Sequence, residues 1–439
     1  MIDLRISPSR SQALQEAHRL YENDADGEEV ALRQLRRFNA EWQRCTVELA
    51  FYREWKHEHG LPDRIGDLGE LEHFPVLRKA DLRERSDLVF HEARLGNYYE
   101  TGGSTAEPTR FPRGGRDSAI LFADNYVGRS WWGLLPYERS VLVWGHSHLY
   151  GSGMRRGVRG LQRAMRDRVG RTLRLDGYQH SSTALAAQLD RLIAYRPRYV
   201  VGYSSGMSRL ARAADETQLA SLRGLRLKAV VVTSDTLDRV DEEAVRRAFH
   251  CPVVIEYGAA EAGVIAISRY ETREIRVLWN SHLVTLSPSN ELRVTTLWPR
   301  QFPLINYALE DVVIAKSVTA AGSVLALNEI RGRAADQLRI RGRNANLTIG
   351  ALQLVHMVKG YKPVESVQFS QETNSSIRVH VKLSESRWLR HVEELLKSQL
   401  RNEYPDIDLR SIEVVDAPLQ LSTRAGKHLV VRPSSLNTE

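Results

Sequence analysis

Between residues 140 and 258, short apolar runs alternate with amphipathic segments, and this alternation constrains the fold more than any other feature of the chain. "SVLVWG" (140–145), "RYVVGY" (198–203), "LKAVVVTS" (227–234) and "CPVVIEYG" (251–258) are short, apolar and valine-rich, as strands buried on both faces are. Between them, "SSTALAAQLDRLIAYRP" (181–197) offers hydroxyl caps, puts Leu185, Leu189, Leu192 and Ile193 on one helical face, and has Pro197 just past its end. "RVDEEAVRRAFH" (239–250) is a further helix. Strands alternating with helices predict an α/β layer with a mostly parallel sheet, whose ligands sit beyond the strands' carboxyl ends. Gly145, Tyr203, Ser234 and Tyr257 fall at such ends.

The flanks read differently. Residues 1–95 are a mostly helical leader, in which "EEVALRQLRRFNAEWQRCTVELAFYREWKHEHG" (28–60) spaces Leu32, Leu35, Phe38 and Trp42 for one helical face. "FPVLRKADLRERS" (74–86) reads as a loop entering a short helix. Downstream, "ELRVTTLW" (291–298) and "GSVLALNEI" (322–330) predict antiparallel strands that close the large domain. After "RGRAADQLRIRGRNANLTIG" (331–350) the pattern resets to the strand "SSIRVHVKL" (375–383), the helix "SRWLRHVEELLKSQLRNE" (386–403) and the strand "RSIEVVD" (410–416). A chain of 439 residues has room for two domains, and the division is placed at 1–332 and 333–439, the second a small α+β domain.

Composition removes several function classes. No apolar run approaches the roughly 20 residues needed to span a bilayer, and the N-terminus lacks a basic start followed by an apolar core, so a cytoplasmic, non-membrane protein is expected. The two cysteines, Cys45 and Cys251, are too far apart in sequence for a usual zinc motif and form no disulfide framework, so a metal would be held by oxygen. The formal charge of +8 invites a nucleic-acid reading. The arginines are scattered, however, and no recognised nucleic-acid-binding signature accompanies them, so no nucleic-acid partner is expected.

The stretch "YYETGGSTAEPTR" (98–110) has two readings on its own residues. It makes an ordinary turn, or its glycines let successive backbone N–H groups and hydroxyls approach an anion closely. It does not fit the nucleoside-triphosphate pattern that ends in Gly-Lys, because no lysine follows. Four other stretches carry matching chemistry. "EYGAAEAG" (256–263) puts an aromatic, Tyr257, and a carboxylate, Glu261, at a sheet end, and "FPLINYALEDVV" (302–313) puts Asp311 after a turn, where it could accept hydrogen bonds from two ribose hydroxyls. "RGRAAD" (331–336) sets Arg333 at the domain boundary, and "LSTRAGKHLVV" (421–431) carries Lys427, one of nine lysines, after Gly426.

In this order the stretches resemble the signature of the AMP-forming adenylating superfamily, the acyl-CoA synthetases and peptide-synthetase adenylation domains. The likeness is strongest to its phenylacetate-CoA ligase-like branch, which "FPVLRKADLRE" (74–84) and "VGYSSGMSRLA" (201–211) also resemble. The resemblance runs from about residue 50 to about residue 432. It implies a large N-terminal adenylating domain and a mobile C-terminal lid. A carboxylic acid, aromatic or similarly planar, would be adenylated with ATP and Mg2+ and then passed to CoA or another thiol. On this likeness Gly102, Gly103, Ser104 and Thr105 wrap the triphosphate, Tyr257 with Gly258 and Ala259 holds adenine, and Glu261 binds Mg2+. Asp311 holds the ribose with Arg333 assisting, and Lys427 bridges the substrate carboxylate and α-phosphate. His146, Tyr203, Ser204, Ser234 and Ala259 line the acyl pocket. Lys427, Glu261 and Thr105 are the implied catalytic set, and the branch implies a homodimer.

The chain departs from the pattern at several places. Ala106 and Glu107 replace the glycine and lysine-like positions of the phosphate loop, and Asn306 stands where an arginine is common. The hinge reads Gly332-Arg333-Ala334-Ala335 with Asp336 one place late, and Ser234-Asp235-Thr236 replaces a Ser-Gly-Glu segment. Two alternatives follow. One keeps adenylation but ends in an amide, with an amine in place of CoA or a carrier-protein thiol as acceptor, or in a stable adenylylated product, as in specialised metabolite or capsule assembly. The other is a nucleotide-binding relative without catalysis.

Overall fold

A computed structural model describes residues 7–22, 26–91, 98–100, 109–112, 114–144, 167–177, 181–233, 237, 239–269, 274–333, 337–344, 347–358, 361, 363–373, 375–417 and 431. The chain divides into two compact units, Met1–Asp235 with Ala244–Ile330, and Thr236–Glu243 with Arg331–Glu439.

The first unit begins with helices α1 (Pro8–Tyr21), α2 (Gly27–Glu48), α3 (Ala50–His59), α4 (Lys79–Glu84) and α5 (Ser86–Val89). The single helix expected over 28–60 is two, because Leu49 takes an extended conformation between them. The buried face also differs from the predicted one. Phe38 and Trp42 are fully buried, but Leu32 is 47% exposed and Gln34 takes the inner position instead. Gln34 is tolerated there because its amide is fully used: Nε2 donates to the carbonyls of Trp279 and His282, and Oε1 accepts from Ser323 Oγ at 2.7 Å. Trp42 packs edge-on against Phe74 and Tyr52, and Tyr52 stacks on Phe302. This aromatic cluster anchors the leader, and its largest member, Trp42, makes truncation to Ala cost about 3–5 kcal/mol.

After the hairpin β1 (Tyr98–Glu100) and β2 (Arg110–Pro112) comes α6 (Gly115–Ser130). The sheet strands follow: β3 (Ser140–Trp144), β4 (Thr172–Asp176), β5 (Tyr199–Tyr203), β6 (Ala229–Thr233), β7 (Val253–Ala259), β8 (Gly263–Ser268), β9 (Ile275–Val277), β10 (His282–Leu286), β11 (Glu291–Thr296), β12 (Tyr307–Val318) and β13 (Val324–Arg333). Interleaved with them are α7 (Ser182–Tyr195), α8 (Ser204–Ala213), α9 (Glu216–Gly224) and α10 (Arg239–Phe249).

These strands form one 11-stranded sheet in the order β10-β11-β12-β13-β9-β8-β7-β6-β5-β3-β4. The half that alternates with helices, β4-β3-β5-β6-β7, is parallel throughout, and its valines on β6 are almost fully buried, as two-sided coverage requires. Beyond β7 the pairs β7-β8, β8-β9, β9-β13, β12-β11 and β11-β10 are antiparallel. Pairing therefore switches at β7, the strand that carries Tyr257.

The second unit holds β14 (Gln337–Ile340) paired with β15 (Leu347–Gly350), then α11 (Ala351–Val358) and a three-stranded sheet. That sheet is β16 (Val364–Thr373), β17 (Ser376–Leu383) and β18 (Ile412–Asp416), with α12 (Leu389–Glu403) placing Val392, Leu396 and Leu400 in the same apolar core as Phe369 and Val379. No helix among the described residues is long and apolar enough to cross a membrane.

Candidate active site

Tyr257 lies two residues before the end of β7, and the turn that follows carries Glu261 into β8. This corner needs glycine twice. A Cβ on Gly258 would meet the Gly263 carbonyl oxygen at 2.2 Å, and Gly263 adopts φ +87°, which side chains disfavour. The two β-strands can therefore approach closely, which sets Tyr257 and Glu261 at the same end of the β7–β8 pair.

β12 supplies the facing residues. Tyr257 Oη donates to Asp311 Oδ2 at 2.8 Å, and Tyr307 Oη donates to Glu261 Oε1 at 3.0 Å. Two cross-strand hydrogen bonds thus join the corner to a single strand. Burial, reinforced by the neighbouring Glu261 charge, pushes the Tyr307 hydroxyl far above its ordinary pKa, so it remains a donor. The expectation that Asp311 follows a turn is corrected: it lies inside β12, at an irregularity where Glu291 of β11 pairs with Val312 but Arg293 pairs with Ala308. Glu310, at φ 65°, makes the left-handed step that redirects Asp311.

Lys79 was not among the expected site residues. It opens α4, and its Nζ lies 3.4 Å from Glu261 Oε1. The extended segment before it runs beside β12, with Leu77 N donating to Asn306 O at 3.1 Å and Ala308 N donating to Leu77 O at 3.0 Å. Asn306 explains its own presence here. It takes φ 46°, which asparagine tolerates, and its Nδ2 donates to Phe74 O at 2.8 Å, fastening the segment that delivers Lys79. Tyr307 was missed as well. Its ring packs edge-on against Phe111 of β2 with centroids 6.4 Å apart, so the strand following the glycine-rich stretch rests on the residue that holds Glu261. Only the likeness of "FPVLRKADLRE" and "FPLINYALEDVV" to family segments pointed toward these two residues, because side-chain pairs this distant in sequence leave no local period.

The remaining expected residues divide between described and undescribed. Tyr203 ends β5 and packs at a tilt against Trp144, at the end of β3, with ring centroids 4.2 Å apart, while Ser204 opens α8 and is 2% exposed. Ala259 ends β7, and Arg333 ends β13 and belongs to the second unit. Gly102, Gly103, Ser104, Thr105, Ala106, Glu107, His146, Ser234 and Lys427 lie outside the described residues.

Among the described residues no group of three or more His, Cys, Asp or Glu side chains could hold a metal ion by itself. Glu261 nevertheless fits Mg2+ of the kind that keeps its waters and takes phosphate oxygens as further ligands, since that ion needs only one or two carboxylates. Its Oε1 is engaged by Tyr307 and Lys79, and no described residue bonds Oε2.

No protein-family profile matches the sequence, and no curated protein is significantly similar to it. Solved structures are similar. A 2-hydroxyisobutyryl-CoA ligase in the postadenylation state with 2-HIB-AMP is 18% identical, with a TM-score of 0.69 over 92% of this chain and 89% of that one. The same ligase in an open conformation with 2-HIB-AMP and CoA gives 17% identity and a TM-score of 0.61 over 91% and 90%. A fatty acyl-adenylate ligase, from work on the E. coli and L. pneumophila enzymes, gives 13% and 0.53 over 76% and 68%. The chain therefore has the fold of the AMP-forming adenylating enzymes: a large mixed sheet covered by helices, with a small C-terminal sheet unit.

Proposed function

We propose that the chain is an ATP-dependent carboxylate ligase that makes an acyl-adenylate and transfers the acyl group to CoA or another thiol. The observation that carries this reading is the paired arrangement Tyr257–Asp311 and Tyr307–Glu261, which gathers on one corner the residues that the resemblance assigns to adenine, ribose and metal. An aromatic ring, a ribose-sized acceptor and a buried carboxylate together suit a nucleotide better than any of them does alone.

In the first step a carboxylate oxygen attacks the α-phosphorus of ATP, the bond to the β-phosphate oxygen breaks, and pyrophosphate leaves. In the second a thiol sulfur attacks the acyl carbon, the carbon–oxygen bond to AMP breaks, and the thiol proton is released. Asp311 orients the nucleotide through its ribose, and Tyr257 both packs on the base and fixes the Asp311 carboxylate. Glu261 holds Mg2+, which neutralises charge on the phosphates when bound. Lys427 supplies positive charge to the α-phosphate, and residues 102–105 cradle the β- and γ-phosphates; both assignments rest on the sequence resemblance.

For the acid, the tilted Trp144–Tyr203 ring pair at neighbouring strand ends supports a planar, aromatic substrate. The solved 2-hydroxyisobutyryl-CoA ligase makes a small 2-hydroxy acid the main competitor. A panel of aromatic, 2-hydroxy and simple aliphatic acids, read by pyrophosphate release with ATP and Mg2+ and with or without CoA, tests the reading. Acid-dependent release supports it, and ATP binding without release across the panel counts against it.

A further inference from the structure

The segment 278–282, which joins β9 to β10, is held by buried and part-buried hydrogen bonds from three helices. Gln34 of α2 donates to the carbonyls of Trp279 and His282, and Arg37 of the same helix donates to Asn280 O at 3.0 Å. Asn280 N donates to the Tyr21 hydroxyl of α1 at 3.0 Å, and Ser281 Oγ donates to Asp124 Oδ1 of α6 at 2.7 Å. On its remaining side the segment reaches the candidate site: His282 Nε2 lies 3.2 Å from the carbonyl oxygen of Ala262, the residue next to Glu261. A carbonyl only accepts, so the ring carries its proton on Nε2 and donates.

We propose that His282 is a positioning residue for Glu261: its Nε2–H, bound to the Ala262 carbonyl, fixes the turn that carries the carboxylate, and segment 278–282 transmits that hold from α1, α2 and α6. The inference rests on the reading of Glu261 as the Mg2+ carboxylate. Stability alone is a poor reason for this histidine. It is fully buried, and its Nδ1 makes no hydrogen bond among the described residues although the Leu278 carbonyl also lies beside the ring, a desolvation cost that an apolar side chain of similar volume would avoid. Burial lowers the ring's pKa to about 4, and an Nε2–H donates from the neutral and the protonated ring alike. The turn's other holds are the β7–β8 pairing at its base and the Tyr307 and Lys79 contacts to the Glu261 carboxylate, and none of them grips the Ala262 carbonyl. Ala262 N donates to Ala259 O at 3.2 Å, and Gly263 accepts the close approach of Leu121 only because it has no Cβ. A small rotation of this turn would move the Glu261 carboxylate away from Tyr307.

Two amide substitutions separate positioning from mere polarity. Gln places a side-chain N–H at about the reach of Nε2, whereas Asn, one methylene shorter, does not. In the full-length protein, H282N is expected to speed amide hydrogen exchange at residues 261–263 at least tenfold, and H282Q to stay within about threefold of wild type. With an accepted acid, H282N should raise the Mg2+ concentration for half-maximal pyrophosphate release about tenfold with KM for the acid unchanged, and H282Q should not. The proposal is overturned if the two variants behave alike in exchange, or if H282Q does not fold. Should wild-type protein release no pyrophosphate with any acid, the ligase reading fails while the exchange comparison still decides the role of His282.

Discussion

Tyr257 gives its hydroxyl to Asp311 at 2.8 Å across two strands that are not neighbours in the sheet, so the residue assigned to the base and the residue assigned to the ribose are fixed by each other. Removing either end of this bond should therefore weaken ATP binding, with little effect on the acid. Y257F and D311N are each expected to raise KM for ATP, D311N by tenfold or more because it also loses charge toward the ribose, while KM for the acid stays within about twofold. The double mutant should fall short of the product of the single effects, since a hydrogen bond to a charged group is worth about 1.5–3 kcal/mol. Strict additivity, measured by ATP titration, would show that the bond does not couple the two residues.

Glu261 has two partners of unequal burial. Tyr307 is fully buried, and the Lys79 side chain is 25% exposed. Y307F should cost about 2 kcal/mol of unfolding free energy and K79M about 1 kcal/mol or less, because solvent screens the lysine. Chemical denaturation of the two variants checks the order, and a larger loss from K79M would reverse the assignment of the main support.

Asp124 provides a pH test. Burial raises its carboxyl to about 7, against the opposing pull of the Ser281 hydrogen bond and the Arg300 and Arg37 charges. The native state then keeps a proton that the unfolded chain, titrating near 3.8, releases, so this contribution is complete below about pH 4 and disappears as pH rises through 7. Between pH 5 and 8 wild type should lose roughly 2–3 kcal/mol more stability than D124N. His282 acts in the opposite sense, contributing above the ordinary 6.5 and fading toward about 4, but it is common to both proteins and cancels in the comparison. Parallel stability–pH curves would contradict the raised Asp124 carboxyl.

Glu310 at φ 65° sits where an L side chain is strained by about 1 kcal/mol or more, so E310G should raise the unfolding midpoint slightly while preserving the path of β12. A loss of stability on that substitution would mean that the Glu310 side chain makes a compensating contact.

Much of this was legible before any coordinates. The parallel half of the sheet announced itself because strands covered on both faces are continuous apolar runs, as at 227–234, and Tyr257, Glu261 and Asp311 stood in an ordered set of motifs. What escaped depends on distant partners. Gln34 is buried in place of Leu32 only because carbonyls more than 240 residues away receive its amide. Lys79 reaches Glu261 only because Asn306 and Leu77 lay its segment along β12. The bulge at Glu310 was hidden for another reason, since a left-handed step made by a glutamate carries no glycine to mark it.

The most direct measurement is acid-dependent pyrophosphate release by the full-length protein with ATP and Mg2+, repeated with E261Q and K427A. The account predicts release with at least one class of carboxylic acid, with AMP and an acyl thioester formed when CoA is added, and a loss of at least a hundredfold in both variants. Pyrophosphate release that E261Q and K427A leave unchanged, or ATP bound without turnover for every acid, would contradict it.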